Sequence, residues 1–136
     1  MKETLQKKLF EKYPKIFRQK DLSMQETLMC WGFECGSGWY NLIDTLCGTI
    51  KNYLDNVNEC PQVEAVQVKE KFGGLRFYYD GGDDFIEGAV WLAESMSYRI
   101  CDICGSPGTP NNIGWIATRC DEHRESIISI VENSEF

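Results

Sequence analysis

Four potential metal ligands near the carboxyl end constrain the fold of this chain more than any other feature. Cys101 and Cys104 are followed by Cys120 and His123 in the pattern C-x2-C-x15-C-x2-H. Two close pairs suit a tetrahedral Zn²⁺ ion, because each pair chelates from one short turn while the connecting loop lets the pairs converge. Four protein ligands leave no open position for water, so we expect one structural zinc ion.

The residues around this motif predict a treble-clef-like zinc module over 101–136, packed on the rest of the chain. Gly105 permits a tight knuckle after the second ligand, and residues 113–118 read as a short strand. The pattern becomes helical from Cys120, which places Cys120 and His123 on one face of a first turn. The predicted helix continues through the apolar residues Ile127, Ile128, Ile130 and Val131.

The same motif limits the chemistry of the protein. His123 is the only histidine, so its use as a ligand leaves no imidazole for a Ser-His or Cys-His dyad. A redox Cys-x-x-Cys site would leave Cys120 and His123 unexplained. Carboxylate catalysis by Asp80, Asp83 or Asp84 has no support in their spacing. We therefore expect a protein that is not an enzyme.

Composition indicates the class of protein and its surroundings. The 136 residues are 43% hydrophobic, which is enough for a core. The 14 Lys and Arg against 21 Asp and Glu give a formal charge of −7, and such a surface repels phosphate backbones. The chain has neither an apolar secretory segment at its start nor an apolar run of about 18 residues. We therefore expect a cytoplasmic protein without a membrane span and with reduced thiols.

The charge is distributed unevenly along the chain. Residues 1–20 carry seven Lys or Arg and two Glu, while the remaining 116 residues carry seven basic and nineteen acidic side chains. The basic end is either a solvated helix face that balances the acidic body or a docking arm for an acidic partner. Nucleic acid is a disfavoured partner unless this end supplies the contacts.

Hydrophobic periodicity predicts an α+β body over residues 1–100, beginning with amphipathic helices. The first helix ends near Pro14, and a capping box at Ser23 predicts a second, short helix. The strongest helical period covers residues 39–56, and Asp83 is the expected cap of a further helix. The predicted inner face of that last helix is Phe85, Ala89, Leu92, Ala93 and Met96.

The pattern changes to alternation over residues 63–79, which predicts a β-hairpin turning at Gly73-Gly74 in a small antiparallel sheet. This register would place Lys71 opposite Arg76 and sort the side chains onto two faces. The predicted core face is Val68, Phe72, Leu75, Phe77 and Tyr79. The candidate ligand-binding face is Lys69, Lys71, Arg76 and Tyr78.

Like charges opposite each other destabilise a sheet, so the basic hairpin face needs an explanation. One explanation is that nearby acids such as Glu70 or Asp80 neutralise the cations, or that the cations extend into water. The other is that an anion, such as a nucleotide phosphate or an acidic partner surface, bridges them while Tyr78 supplies a stacking face.

The remaining cysteines and the tryptophans have simpler interpretations. We expect free buried thiols at Cys30, Cys35, Cys47 and Cys60. We expect core or module-packing roles for Trp31, Trp39, Trp91 and Trp115.

Several stretches of the chain resemble a group of small proteins encoded in bacteriophage and prophage genomes. They are Gly38-Trp39-Tyr40 with Leu42-Ile43, residues 68–78 (VKEKFGGLRFY), residues 101–105, and residues 114–123. Together they span about residues 30–123. The resemblance implies a phage-type accessory protein in the bacterial cytoplasm and brings no catalytic residue to transfer.

These features favour a non-enzymatic, zinc-stabilised binding protein. The resemblance implies a host-interaction factor, of the anti-defence or host-takeover kind. Its expected partner is a host protein or a small anionic ligand such as a nucleotide. One alternative is a sponge for a small nucleotide signal, and another is a nucleic-acid-binding transcriptional regulator.

Overall fold

The computed structural model describes residues 1–111 and 113–124 and has an α+β fold, as the sequence predicts. Within the described residues, the longer α-helices are α1 (Glu3–Lys12), α2 (Tyr40–Asn56) and α3 (Asp84–Ser97), and a helical turn covers residues 121–124. The strands of the same residues are β1 (Phe33–Glu34), β2 (Glu64–Lys71), β3 (Gly74–Asp80), β4 (Thr109–Pro110) and β5 (Thr118–Arg119). Short 3-10 turns cover Arg18–Asp21, Met29–Trp31 and Ser37–Trp39.

The main sheet has three strands in the order β1-β2-β3 and is mixed. β2 and β3 form the predicted antiparallel hairpin, but β1 joins β2 in parallel, with Phe33 paired to Val68. The antiparallel hairpin is therefore confirmed, and the parallel strand β1 is an addition that was not predicted. A strand of two residues is too short for its alternation to be recognised in the sequence.

The core lies on one face of this sheet, against α1, α2 and the turns that connect them. Helix α2 supplies Leu42, Ile43, Leu46, Cys47 and Ile50 to it, so the predicted helix over 39–56 is confirmed. The other large, fully buried side chains include Leu9, Phe17, Met29, Trp39, Val68, Leu75 and Ile86.

The predicted second helix at Ser23 is not an α-helix. Residues 24–26 form a turn, followed by the single 3-10 turn Met29–Trp31. The Ser23 hydroxyl contacts the Glu26 carboxylate, whereas the Thr27 hydroxyl accepts the Met29 N–H and donates to the Val66 carbonyl on β2. The Glu26 and Thr27 N–H groups still donate to the Ser23 carbonyl, so one helical turn forms, and the contact of Thr27 with the sheet follows where the predicted helix would continue.

Helix α3 has the predicted N-cap, but its buried face differs from the predicted one. Its buried residues are Ile86, Val90, Ala93 and Ser97, whereas Phe85, Leu92 and Met96 are exposed. The reason is hydrogen bonding to the outer edge of β3. Ser97 Oγ accepts the Leu75 N–H at 2.8 Å, and a Glu94 carboxylate oxygen accepts the Phe77 N–H at 2.9 Å. α3 thus covers an edge strand that would otherwise leave these groups unpaired.

Asp83 links the cap of α3 to α2. Its carboxylate accepts the Ile86 N–H at 3.2 Å and the Tyr53 hydroxyl, and the Tyr53 hydrogen bond lowers the pKa of Asp83. Replacing Asp83 by alanine should reduce the free energy of unfolding by about 1 kcal/mol, because a cap bond is lost. Asp83→Asn is the control and should keep most of the stability in urea titrations. An equal loss in both variants would contradict a capping role.

The hairpin turn lies one residue earlier than the sequence predicts. Lys71 pairs with Gly74, so the two turn residues are Phe72 and Gly73, both with positive φ (53° and 84°). Gly74 belongs to β3, where the Tyr98 ring covers it: an added Cβ would lie 2.2 Å from Tyr98 Cζ. The second glycine therefore permits the close approach of an aromatic ring and does not form the turn.

Among the residues that the structure describes, no helix combines the length and the apolar character needed to cross a membrane.

Candidate metal centre and hairpin face

The four predicted ligands come together into one cluster. The Sγ atoms of Cys101, Cys104 and Cys120 and a ring nitrogen of His123 all lie within 4.8 Å of one another. Cys101 Sγ is 3.6 Å from His123 Nδ1, and Cys104 Sγ is 3.7 Å from Cys120 Sγ. Zn–S bonds of about 2.3 Å and Zn–N bonds of about 2.0 Å would place tetrahedral ligand atoms roughly 3.5–3.8 Å apart. The cluster is compatible with a bound metal ion.

Two local turns present these ligands. The first is the knuckle, in which the Gly105 N–H donates to the Cys101 carbonyl at 2.9 Å and Gly105 has a φ of 82°. The second is the helical turn of residues 121–124, where the His123 N–H donates to the Cys120 carbonyl. The predicted helical residues 127, 128, 130 and 131 lie outside the described residues.

The environment of the thiols favours a metal-binding thiolate at Cys104. Ser106, through its hydroxyl and its N–H, lowers the pKa of Cys104 to about 6. Burial raises the pKa of Cys120. Because metal ligation requires thiolates, a low pKa at one ligand reduces the proton competition at neutral pH.

The loop between the two ligand pairs differs in part from the prediction. The predicted strand over 113–118 contributes only its last residue to β5, and β5 pairs with β4. Residues Ile113, Trp115 and Ile116 are exposed. The side chain of Asn111 ties the loop together by bonding to the carbonyls of Ile113 and Trp115 and to the Ala117 N–H.

Two glycines before α2 bring the backbone of the body directly against the knuckle. The Gly38 N–H donates to the Asp102 carbonyl at 2.9 Å. A Cβ added at Gly38 would lie 2.1 Å from the Cys101 carbonyl oxygen, and one added at Gly36 would lie 1.9 Å from that of Asp102. Only glycine fits at these two positions. The pattern of the sequence did not indicate this contact.

Further hydrogen bonds connect the metal-binding segment to the body. Trp39 Nε1 donates to the Ile100 carbonyl at 2.9 Å, and Thr118 Oγ1 donates to the Gly73 carbonyl at 2.6 Å. The metal cluster therefore sits between the start of α2 and the hairpin turn. We expect any loss of order at the cluster to loosen both the start of α2 and the hairpin turn.

A nearly buried ion pair lies inside this segment. Arg119 Nε donates to Asp102 Oδ1 at 2.7 Å, with side-chain exposures of 16% and 11%. Burial raises the pKa of Asp102, and the charge of Arg119 opposes that effect. The pair fixes β5 against the knuckle, where the Asp102 N–H also donates to the Thr118 carbonyl.

The four residues of the candidate ligand-binding face lie on one side of the hairpin, although their pairing differs from the prediction. Lys69 is opposite Arg76, and Lys71 is opposite Gly74. Tyr78 is opposite Gln67 and is exposed. The register moved by two residues, which changes the partners but keeps these four side chains on one face. Phe72, predicted for the core face, is instead exposed, because the shifted register makes it a turn residue with positive φ. On the other face, Glu70 is opposite Leu75 and accepts the Gly73 N–H, so it stabilises the turn.

The cations of this face have no carboxylate partner within the described ranges. Lys69, Lys71 and Arg76 take part in none of the ion pairs formed by residues 1–111 and 113–124. Arg76 instead donates to the Tyr98 hydroxyl at 3.1 Å and to a backbone carbonyl. Glu34 is the neighbour of Lys69 on β1, where Gln67 donates to it. Neutralisation by Glu70 or Asp80 is therefore not found among the described residues, which leaves extension into water or an anionic ligand.

The face is open rather than enclosed. Cavities of about 730, 300 and 230 Å³ lie beside α1, between α2 and α3, and near Tyr13, and none of the three is lined by residues of this face. Small ligands usually bind in concave sites that cover most of their surface. A basic face outside these three cavities is better matched to the surface of a macromolecule.

Other predicted residues take ordinary structural positions or are exposed. Cys35 and Cys47 are buried, whereas Cys30 and Cys60 are half-buried. Trp39 is buried as predicted, but Trp31, Trp91 and Trp115 are exposed, so the packing role predicted for these three was wrong.

In the basic amino-terminal segment, four cations form ion pairs: Lys7 with Glu11, Lys12 with Asp44, Arg18 with Glu64, and Lys20 with Asp21. These pairs favour a charge-balancing helix face over a docking arm.

Comparisons of the chain with protein families, with curated proteins and with solved structures found no match.

Proposed function

We propose that this chain is a non-enzymatic binding protein in which a closed zinc site holds the hairpin in place and the basic hairpin face binds an acidic surface of a partner protein. The observation that carries the proposal is the convergence of three cations on one face of the hairpin without an ion pair among the described residues. Holding like charges together lowers stability by a few tenths of a kcal/mol, and a negatively charged partner would reverse that effect.

In this proposal the metal is Zn²⁺ and its role is structural. Three thiolates and one imidazole are a common zinc ligand set, and four protein ligands leave no site for a reacting water. The close backbone contact of Gly36 and Gly38 with the knuckle supports a scaffold role, because the metal then fixes the start of α2. The contact of Thr118 with the Gly73 carbonyl extends that support to the hairpin turn.

The proposed biological setting is a phage-type accessory factor that acts on a bacterial host protein. Its basis is the resemblance of residues 30–123 to proteins encoded in phage and prophage genomes. A free nucleotide is the second candidate ligand, favoured by the exposed Tyr78 ring next to the cations. The position of the face outside the three cavities favours a protein over a nucleotide.

The charge variant Lys69→Gln/Lys71→Gln tests the role of the face. The immobilised wild-type protein should retain partners from a bacterial lysate, identified by mass spectrometry of both proteins and metabolites, and the variant should lose at least nine-tenths of that retention. The expected loss follows from removing two cations that meet acidic groups across an interface. Thermal unfolding should be unchanged or slightly improved, since like charges have been removed.

The matched control is Lys8→Gln/Lys15→Gln, which removes two exposed positive charges from the amino-terminal segment. It should retain the wild-type set of partners. If both double variants lose the same partners, net charge rather than the hairpin face determines binding. If neither loses any, the proposed face is ordinary surface.

A further inference from the structure

Exposed apolar side chains lie in the hairpin turn and in the loop that contacts this turn through Ile116. They are Phe72 in the turn and Ile113, Trp115 and Ile116 in the loop, with exposures of 66%, 75%, 64% and 41%, and we call them the apolar tip. A Cβ added at Gly73 would lie 3.3 Å from Ile116, so the loop and the turn are in contact. The Thr118–Gly73 hydrogen bond and the Asn111 side chain fix this arrangement.

Phe72 occupies a backbone conformation that disfavours it. Its φ of 53° is in the left-handed region, where asparagine and glycine are preferred and bulky side chains are outliers. The strain is not compensated by burial, because two-thirds of the side chain is in water. A residue that lowers stability and packs little inside the fold points to a role outside the fold.

The apolar tip is continuous with positive charge. Lys71 Nζ lies 5.7 Å from the centroid of the Phe72 ring, and Lys69 and Arg76 follow along the same hairpin. The tip therefore offers apolar contact area at one end and unpaired cations beside it. A complementary ligand carries an apolar side chain next to acidic groups.

We propose that the apolar tip and the basic face bind one segment of a partner protein, in which an aromatic or large aliphatic residue lies next to Asp or Glu. Phe72 is then a contact residue for the apolar side chain, and Lys71 pairs with the acidic one. The acidic part of this inference rests on the proposed function, whereas the role of Phe72 does not. An anionic membrane is the less suitable occupant, because it would repel the whole chain of charge −7, whereas a short segment meets only the local cations.

The variant Phe72→Asn tests the inference. The probe is a displayed library of random 12-residue peptides, selected on the folded wild-type protein. We expect enriched peptides to combine Phe, Trp or Leu with neighbouring Asp or Glu, and Phe72→Asn to bind them at least tenfold more weakly. Trp91→Gln, which removes an exposed aromatic from α3, should bind them like the wild type.

Thermal unfolding provides the second readout. Asparagine suits the left-handed turn position, so Phe72→Asn should raise the midpoint by about 3 °C while binding falls. Weaker binding with a lower midpoint would indicate a damaged fold and would overturn the assignment of Phe72 as a contact residue. Phe72→Gly, which also tolerates positive φ, should lose binding to the same extent.

The remaining outcomes separate this inference from the proposed function. Acidic peptides that bind Phe72→Asn as well as the wild type would overturn the role of Phe72 and leave the basic face intact. Apolar peptides without acids that require Phe72 would support the tip and contradict the acidic partner. Absence of any enriched peptide would overturn the inference. So would Phe72-dependent sedimentation with vesicles of 30% phosphatidylserine and 70% phosphatidylcholine.

Discussion

Replacing Gly38 by alanine should lower the free energy of unfolding by about 3 kcal/mol or more and weaken metal retention. The added Cβ would lie 2.1 Å from the Cys101 carbonyl oxygen and 2.7 Å from the Gly105 nitrogen. Both are backbone atoms of the knuckle, so no side chain can turn away to make room. The hydrogen bond from the Gly38 N–H to Asp102 would be lost as the segments separate.

The matched control for this substitution is Gly88→Ala in α3. An added Cβ at Gly88 meets nothing within 4 Å, and alanine favours the helix by roughly 1 kcal/mol over glycine. The same chemical change should thus destabilise the protein at one site and stabilise it at the other. Urea unfolding followed by far-ultraviolet circular dichroism measures both. A Gly38→Ala protein as stable as the wild type would contradict the close contact between body and knuckle.

Removal of the metal is the second change with a large expected effect. Cys101 is fully buried and lies in the knuckle, so Cys101→Ser removes a ligand that no neighbour can replace. We expect the variant to lose its zinc and to unfold at a lower urea concentration, with a loss of about 3 kcal/mol or more, because structural zinc contributes directly to folding. A strong zinc chelator should have the same effect on the wild-type protein.

Cys30→Ser is the control for the cysteine variant. The Cys30 thiol lies outside the cluster and donates to the Thr27 carbonyl, a bond that a serine hydroxyl can also make. Native mass spectrometry should find one zinc per chain in the wild type and in Cys30→Ser, and none in Cys101→Ser. Retention of zinc in Cys101→Ser, with unchanged unfolding, would contradict its assignment as a ligand.

The features that local chemistry determines could be predicted from the sequence. The ligand cluster is one of them, because each pair of ligands is set by a single turn and the spacing alone indicates it. Helix α2 is another, since its apolar period of 3.6 matches its burial over the whole length. The Asp83 cap of α3 was also predicted correctly, because it depends only on a hydrogen bond from the N–H of Ile86, three residues along the chain.

The features that depend on distant contacts could not be predicted in this way. Gly73-Gly74 is typical of a hairpin turn, and only the Tyr98 ring explains why the second glycine belongs to a strand. In α3 the polar residues Glu94 and Ser97 face inward because the edge of β3 needs acceptors, which no apolar pattern reveals. The requirement for glycine at positions 36 and 38 also comes from a distant contact, because the knuckle backbone that they touch lies more than sixty residues further along the chain.

The coordination of the zinc ion tests the central claim most directly. X-ray absorption at the zinc edge of the purified protein should fit three sulfur ligands at about 2.3 Å and one nitrogen at about 2.0 Å, with no oxygen. That result would establish a closed site that supports the fold. A bound water, or a shell with fewer than three sulfurs, would contradict the scaffold role assigned to Cys101, Cys104, Cys120 and His123.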